Sequence, residues 1–396
     1  MKLASQPSLT PVEILRALVA IPTVSSFSNL PLLDWVTAFL QPRGWSCRLL
    51  RYADEKGVEK ANLIARPAPV EDPDRIDLAF LCHTDTVPPA VGWRDPHTLH
   101  VADGHANGLG ACDVKSALAC FLAAVASLPH NALHPGVALL LTADEEIGCK
   151  GMERLLAALP ALRIRCAIIS EPTSLRPAVA GKGYGLARVV VRGREAHSAF
   201  PREGISAIAA AAALIPCILA ASSVVAHPLF DPPTTTFNVG TITGGTAKNI
   251  LPGECSFLIE WRAVPNEPTG AIAAQLQQII RQATEKTPGI TAHFELLRDE
   301  PGFGPNFELS FDPACERACD RADASSLADH LSAALHRDPT GISFGSEATR
   351  VARIAEEVVV LGPGDMRTAH SDRECVPLAE LDEWMHTLQS LLWVAV

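Results

Sequence analysis

The chain has 396 residues, more than one hydrophobic core usually holds, so two domains are expected. Hydrophobic residues make up 48% and charged residues 19%, ordinary for a globular enzyme, and the net charge of −11 argues against nucleic acid as a partner because no basic stripe is available to neutralise phosphates. No apolar stretch approaches the roughly 20 residues that span a bilayer, so no membrane partner is expected.

The first part of the chain alternates strands and helices. Residues 11–20 and 30–40 read as amphipathic helices, and 77–82 as a short, mostly apolar buried strand. An Ala/Leu-rich helix is expected over 115–128, a second buried strand over 137–142, a helix over 151–159 and a third strand over 166–170. This alternation predicts an open α/β sheet with parallel strands and helices on its faces. The pattern then changes to strand 186–192, helix 204–221, strands 235–243 and 255–262, helix 270–284 and strand 290–296. That β-α-β-β-α-β order is the split, ferredoxin-like sandwich, expected as an inserted domain over residues 182–297. The tail returns to α/β character with a helix over 325–336, a strand over 357–361 and a helix over 378–392, so residues 1–181 and 298–396 are expected to form the other domain.

Residues 1–10 are polar and lack a basic region followed by an apolar run, so no signal peptide is expected. The 11 cysteines are odd in number and contain no C-x-x-C pair, and several, such as Cys82, Cys120 and Cys166, sit in apolar runs. Free buried thiols in a reducing cytoplasm are the expectation. Cys315 and Cys319 are not expected to clip a metal, since no His or further Cys completes the set.

Candidate metal ligands follow the buried strands. Strand 77–82 runs into His83 and Asp85, strand 137–142 into Asp144, Glu145 and Glu146, strand 166–170 into Glu171, and strand 357–361 through Gly362-Pro-Gly364 to His370. Ligands of open α/β sheets bind outside the carboxyl ends of the strands, so these groups are expected to converge on one edge. A mixed imidazole and carboxylate set suits zinc, with cobalt or manganese as substitutes. Five ligands with one shared carboxylate can hold two ions about 3.5–4 Å apart, leaving a carboxylate of the adjacent pair Glu145-Glu146 free for proton transfer.

Four strings make the reading specific. Leu81-Cys-His-Thr-Asp-Thr-Val-Pro88, Gly108-Leu-Gly-Ala-Cys-Asp-Val-Lys-Ser116, Thr142-Ala-Asp-Glu-Glu-Ile-Gly148 and Ser170-Glu-Pro-Thr-Ser174 resemble, in order, the signatures of the M20 metallohydrolases. The resemblance runs from about residue 11 to the end of the chain. It implies a zinc-exopeptidase-like catalytic domain, an inserted lid and dimerisation domain, a homodimer and two divalent ions. It also implies His83 and Glu171 on one ion, Glu146 and His370 on the other, Asp113 bridging both, and Glu145 as general acid and base. Asp85 would hydrogen-bond the far nitrogen of His83, and a cis peptide is implied after Asp113. In the inserted domain, Arg194-Glu-Ala-His-Ser198 resembles the segment whose histidine, here His197, crosses the dimer interface to support the oxyanion. Gly244-Gly-Thr-Ala-Lys-Asn249 resembles a turn whose Asn249 helps hold substrate, and Glu260-Trp-Arg262 a strand whose Arg262 would clamp an α-carboxylate. Ser170 and Glu260 depart from the commoner Gly and Asp of that pattern.

Plainer readings stand beside these: Asp113 as a helix N-cap and Asp144-Glu145-Glu146 as an acidic cluster at a helix start, while Glu347 is read either as a pocket acid or as a solvated surface charge and Lys182 equally as a substrate contact or a hinge residue. Within the family, residues 161–174, Ser346-Glu-Ala348 and Leu361-Gly-Pro-Gly364 look most like the acetylornithine deacetylase branch. The substrate this implies is a small N-acyl amino acid, an ornithine acylated on its α-amine, with Glu347 facing its side-chain ammonium and Arg262 its carboxylate. Acetylcitrulline, succinyl-diaminopimelate and the substrates of aminoacylase or carboxypeptidase branches stand as alternatives, since the metal centre does not choose among them.

Overall fold

The computed structural model describes residues 9–221, 225–304 and 326–393. Cys315 and Cys319 lie outside them. The described residues fall into two compact units, one of residues 9–179, 326–340 and 346–393, the other of residues 180–221, 225–304 and 341–345.

The first unit is built on a large open sheet. Six of its strands lie in the order Trp45–Ala53, Glu59–Pro67, Val137–Thr142, Arg75–His83, Arg163–Ile169 and Ala355–Val360. The last four are parallel, and all six residues of Val137–Thr142 are buried, as its unbroken apolar run requires. Two strands not expected from the sequence, Trp45–Ala53 and Glu59–Pro67, form a hairpin that joins the parallel strands antiparallel. Their alternating and partly polar residues hide them from an apolar-run reading, and a short turn held by Asp54 Oδ1, which accepts from the amides of Lys56 and Val58, suffices to link them.

Helix Ser116–Ser127 packs against Pro11–Val19, Leu378–Trp393 and the sheet, which is why almost every residue in it is apolar and buried. Phe121 stacks on Phe80 of the sheet with ring centroids 4.8 Å apart and meets the edge of Trp45 at 5.9 Å. Burying each such side chain contributes about 1.5–3 kcal/mol. Pro11–Val19 starts in a capping box, with Thr10 and Glu13 satisfying each other's amides.

The second unit has four strands in the order Thr236–Gly244, Glu254–Arg262, Tyr184–Arg192 and Thr291–Glu300, every neighbour antiparallel. In chain order these are second, third, first and fourth, the arrangement a split β-α-β-β-α-β chain produces. Helices Ala207–Leu219 and Ala271–Glu285 bury alternate strand residues such as Val189, Val191, Phe257, Ile259 and Trp261. Gly185 is required by that core: a Cβ there would lie 1.8 Å from the Trp261 ring.

Candidate metal centre

Parallel strands deliver their C-terminal ends to the same edge of the first unit. His83 closes strand Arg75–His83, Glu171 follows strand Arg163–Ile169 by two residues, and Glu145 and Glu146 sit in the turn after Val137–Thr142. Donor atoms of His83, Asp113 and Glu171 lie within 4.8 Å of one another, and so do those of Asp113, Glu146 and His370. The two triads share Asp113. Its Oδ1 is 3.0 Å from His83 Nε2 and its Oδ2 is 3.2 Å from His370 Nε2, which is also 3.2 Å from Glu146 Oε1. Glu145 belongs to neither triad.

Asp113 lies in the buried segment Ala111–Lys115, where its own φ/ψ of −115° and 89° interrupt the helical path. The Asp113–Val114 peptide is cis. The plainer N-cap reading of Asp113 does not apply, because helix Ser116–Ser127 begins without a side-chain cap.

The role expected of Asp85 needs correction. His83 Nδ1 is 3.0 Å from the backbone carbonyl of Asp85 and 3.7 Å from its carboxylate, so the carbonyl is the better-placed partner for setting the ring's tautomer. The carboxylate instead accepts the amides of Glu145 at 3.1 Å and Glu146 at 3.3 Å and the hydroxyl of Ser25 at 2.7 Å. Amides in a tight turn need acceptors, and Asp85 provides them. The same turn is held from its other side by Asp144, whose φ is 59°. Its carboxylate pairs with the fully buried ammonium of Lys60 and accepts the Tyr52 hydroxyl at 3.0 Å, while Lys60 also donates to the Ser25 carbonyl at 2.6 Å. Ser25, Lys60 and Tyr52 stand 60 residues or more before the carboxylates they meet, with no local pattern to mark them.

The electrostatics favour cations. Burial, with the charges of Asp113 and Glu145, pushes the Glu171 carboxyl well above its ordinary range. Burial likewise raises Glu145 to about 8, aided by Glu146, Glu347 and Asp113 against the pull of His83. Burial would raise Asp113, but hydrogen bonds from His370 and His83 hold it below the usual carboxylate range. Hydrogen bonds to Asp113 and Glu146 raise His370 to about 10. Burial acts to lower His83, yet its bond to Asp113 and the surrounding acids carry it well above an ordinary imidazole. Acids crowded this closely outside bulk water call for positive charge, and the donor set of imidazoles and carboxylates is the one a pair of divalent ions takes.

Glu347 is not a solvated surface charge. It is 1% exposed, and its Oε2 accepts the Thr142 hydroxyl at 2.9 Å, while its Oε1 has no donor among the described residues. Lys182 binds the carbonyls of Pro232 at 3.0 Å and Thr234 at 2.8 Å, so its ammonium is committed to structure. In the second unit His197 is exposed, pairs by backbone with Ile250, and accepts the Ala199 amide at its Nδ1 at 3.1 Å. Asn249 is beside it, its carbonyl accepting the Ser198 amide at 3.0 Å. Arg262 is elsewhere. Its guanidinium lies 4.5 Å over the Tyr184 ring, near Glu260 at 3.6 Å, at the far end of strand Glu254–Arg262. Nine residues of strand separate the two ends by about 25 Å at roughly 3.3 Å per residue.

The family model described as peptidase family M20/M25/M40 matches residues 79–393. The acetylornithine deacetylase of Myxococcus xanthus is 40% identical over 371 residues, 93% of this chain and 92% of that one. The acetylornithine deacetylase of Yersinia pestis is 28% identical over 384 residues, 94% of each chain. Among solved structures, a tripeptidase from Staphylococcus aureus subsp. aureus Mu50 matches with a TM-score of 0.76 at 20% identity, over 98% of this chain and 99% of that one. A dinuclear metal-binding peptidase from Bacillus subtilis matches with a TM-score of 0.65 at 14% identity, over 96% of each. At these identities the structural likeness is one of fold.

Proposed function

The chain belongs to peptidase family M20/M25/M40, and on that premise we propose that it is a dinuclear metal-dependent amide hydrolase that removes the acetyl group of N2-acetyl-L-ornithine, in arginine biosynthesis. The observation that carries the chemistry is the pair of triads sharing Asp113 with Glu145 beside them. The substrate rests on the acetylornithine deacetylase that is 40% identical over nearly the whole chain.

His83, Asp113 and Glu171 would hold one ion and Asp113, Glu146 and His370 the other, zinc by donor type, with cobalt able to replace it. Such ions lower the pKa of a water to near 7 and polarise the scissile carbonyl. Glu145 takes the water's proton and passes it to the leaving amine. Its carboxyl is already raised by burial, and cations nearby act against that rise, toward the neutral range where a general acid and base works best. Asp85, through the amides of Glu145 and Glu146, keeps that carboxylate aimed. The donorless Oε1 of Glu347 supports its reading as the acceptor for the ornithine ammonium, since a buried carboxylate oxygen without a donor is costly.

Arg262 is proposed as the carboxylate clamp, and His197 and Asn249 as donors to the oxyanion and substrate. With Nδ1 accepting from Ala199, His197 carries its proton on Nε2 and can donate there. A small substrate cannot reach both ends of a strand about 25 Å long. That separation supports a homodimer in which His197 and Asn249 serve the partner's site, with the second unit as lid and dimerisation domain. Exposed apolar side chains favour self-association there: Ile208 and Leu219 on helix Ala207–Leu219, and Ile242 on the edge strand Thr236–Gly244. Among the described residues every cysteine is free and no helix is long and apolar enough to cross a membrane, which supports a reducing cytoplasmic setting.

The test is a zinc-loaded sample offered acetylornithine, succinyl-diaminopimelate and a dipeptide. Turnover of the first is expected to lead. Cleavage of either other substrate with acetylornithine left intact would overturn the substrate assignment. Glu347→Gln should raise KM for acetylornithine about tenfold and leave that for an acetylated neutral amino acid unchanged, about the 1.4 kcal/mol that separates tenfold affinities. An equal effect on both substrates would remove Glu347 from the substrate site.

A further inference from the structure

Glu374 is 1% exposed and has no place in either triad. Its Oε1 accepts the amide of Cys112 at 3.0 Å and that of Asp113 at 3.1 Å, and its carboxylate also takes the amide of Gly110. These amides lie around the interrupted stretch of Ala111–Lys115, where no regular helix supplies acceptors for them. Its main chain is tied to the same place: Asn107 Nδ2 donates to the Glu374 carbonyl at 2.6 Å, and Cys375 pairs with Asn107. Residues 370–374 thus begin at His370 and end in a carboxylate that grips the backbone of Asp113. His370 needs that anchor. Its side chain is 49% exposed, its φ is 58°, and its Nε2 pairs with Asp113 and Glu146.

We propose that Glu374 is the positioning residue of the metal centre: it holds the Asp113 backbone so that one carboxylate oxygen faces each histidine, and it ties the His370 loop to that same carboxylate. The inference rests on the metal-centre reading above. It predicts that Glu374 acts through the reach of its acceptor oxygen and more on the Asp113–Glu146–His370 triad than on the other. His83 keeps its own anchors, the strand it ends and the Asp85 carbonyl.

The experiment is a titration of the metal-free full chain with cobalt(II) chloride, followed by visible absorption and calorimetry, for the parent, Glu374→Gln, Glu374→Asp and Glu374→Ala. The parent is expected to take two ions. Gln leaves an acceptor oxygen in place and should stay within tenfold of the parent for both. Asp keeps the charge but withdraws the oxygen by one methylene, and Ala removes it. Both should weaken the second ion by about 10–100-fold, as loss of a ligand's supporting partner does, and alter its absorption bands. Should Ala not fold, the Asp and Gln pair decides. Asp binding both ions as the parent does, or Gln failing as Asp does, overturns the inference. A parent that takes up no ions overturns the metal reading itself, so the two failures are distinct.

Discussion

The two triads that share Asp113 are made of different kinds of structure. His83, Asp113 and Glu171 are each 5% exposed or less, and His83 and Glu171 project from the ends of two parallel, hydrogen-bonded strands. Glu146 sits in a turn and His370 in a loop with its side chain half in solvent. Strand ends are fixed by a core that resists movement, whereas turns and loops open at lower cost. One half of the site is therefore expected to be rigid and closed and the other adjustable and open to ligand, with Glu145 working between them.

The largest effect should come from the residue in neither half. Glu145→Gln is expected to keep both ions and lose 10²–10⁴-fold in kcat. Activity within a few-fold of the parent, with metal content intact, would remove Glu145 as the proton carrier. Next come the ligands. His83→Ala and His370→Ala should each weaken an ion by at least 100-fold, the upper end of what loss of an outer partner alone costs. If the halves differ as described, the first ion bound by the parent is the one that His83→Ala weakens and the second the one that His370→Ala weakens. The reverse order would break the comparison.

Acid should sharpen it. In the metal-free site His370 keeps a proton up to about pH 10, so filling the open half at neutral pH must displace one. Its apparent affinity should rise up to tenfold per pH unit from 7 to 9 and fall as acid is added. Calorimetry in two buffers of different ionisation enthalpy measures the proton released, and no release would contradict the raised pKa. The sign for folding is opposite. With a pKa raised above its unfolded value, His370 stabilises the metal-free fold fully below about pH 6.5, and that contribution is lost as pH rises through about 10. The smallest effect is on thermal stability. An ion at 100 times its Kd adds about 2.7 kcal/mol, worth roughly 5–10 °C in a unit of this size. Chelation should remove that shift, and a melting temperature indifferent to chelator would argue that neither half holds an ion.

The closed half was the more legible in the amino-acid order. His83 and Glu171 follow apolar runs that can only be buried strands, and parallel strands must present their ends together. Glu146 and His370 also follow buried strands, but at a distance or beside other acids, so their roles, and Asp113 altogether, came from resemblance to short strings rather than from any periodicity. The side chains that were misread or missed share one feature: each is a long-range partner of a backbone amide or a buried charge. Asp85 turned its carboxylate to the amides of Glu145 and Glu146 rather than to His83. Lys60 found Asp144 across 84 residues, and Glu374 found Asp113 across 261. The hairpin of Trp45–Ala53 and Glu59–Pro67 escaped because the first strand is largely exposed or half-exposed and the second, though mostly buried, is broken by Lys60, Asn62 and Arg66, so neither forms an apolar run.

By itself the amino-acid order determined which segments are apolar enough to be core strands and helices, that the chain carries a β-α-β-β-α-β insertion, and which acids and imidazoles stand at strand ends. Those are local properties, set by side-chain hydrophobicity and its period along the chain. Only the tertiary structure decided which acceptor meets which amide, that Glu347 is buried with one oxygen unmet among the described residues, and that His197 sits in a separate two-stranded sheet while Arg262 ends a strand of the four-stranded one. The reason is geometric: a hydrogen bond depends on a few tenths of an ångström between residues hundreds of positions apart, and no periodicity encodes that.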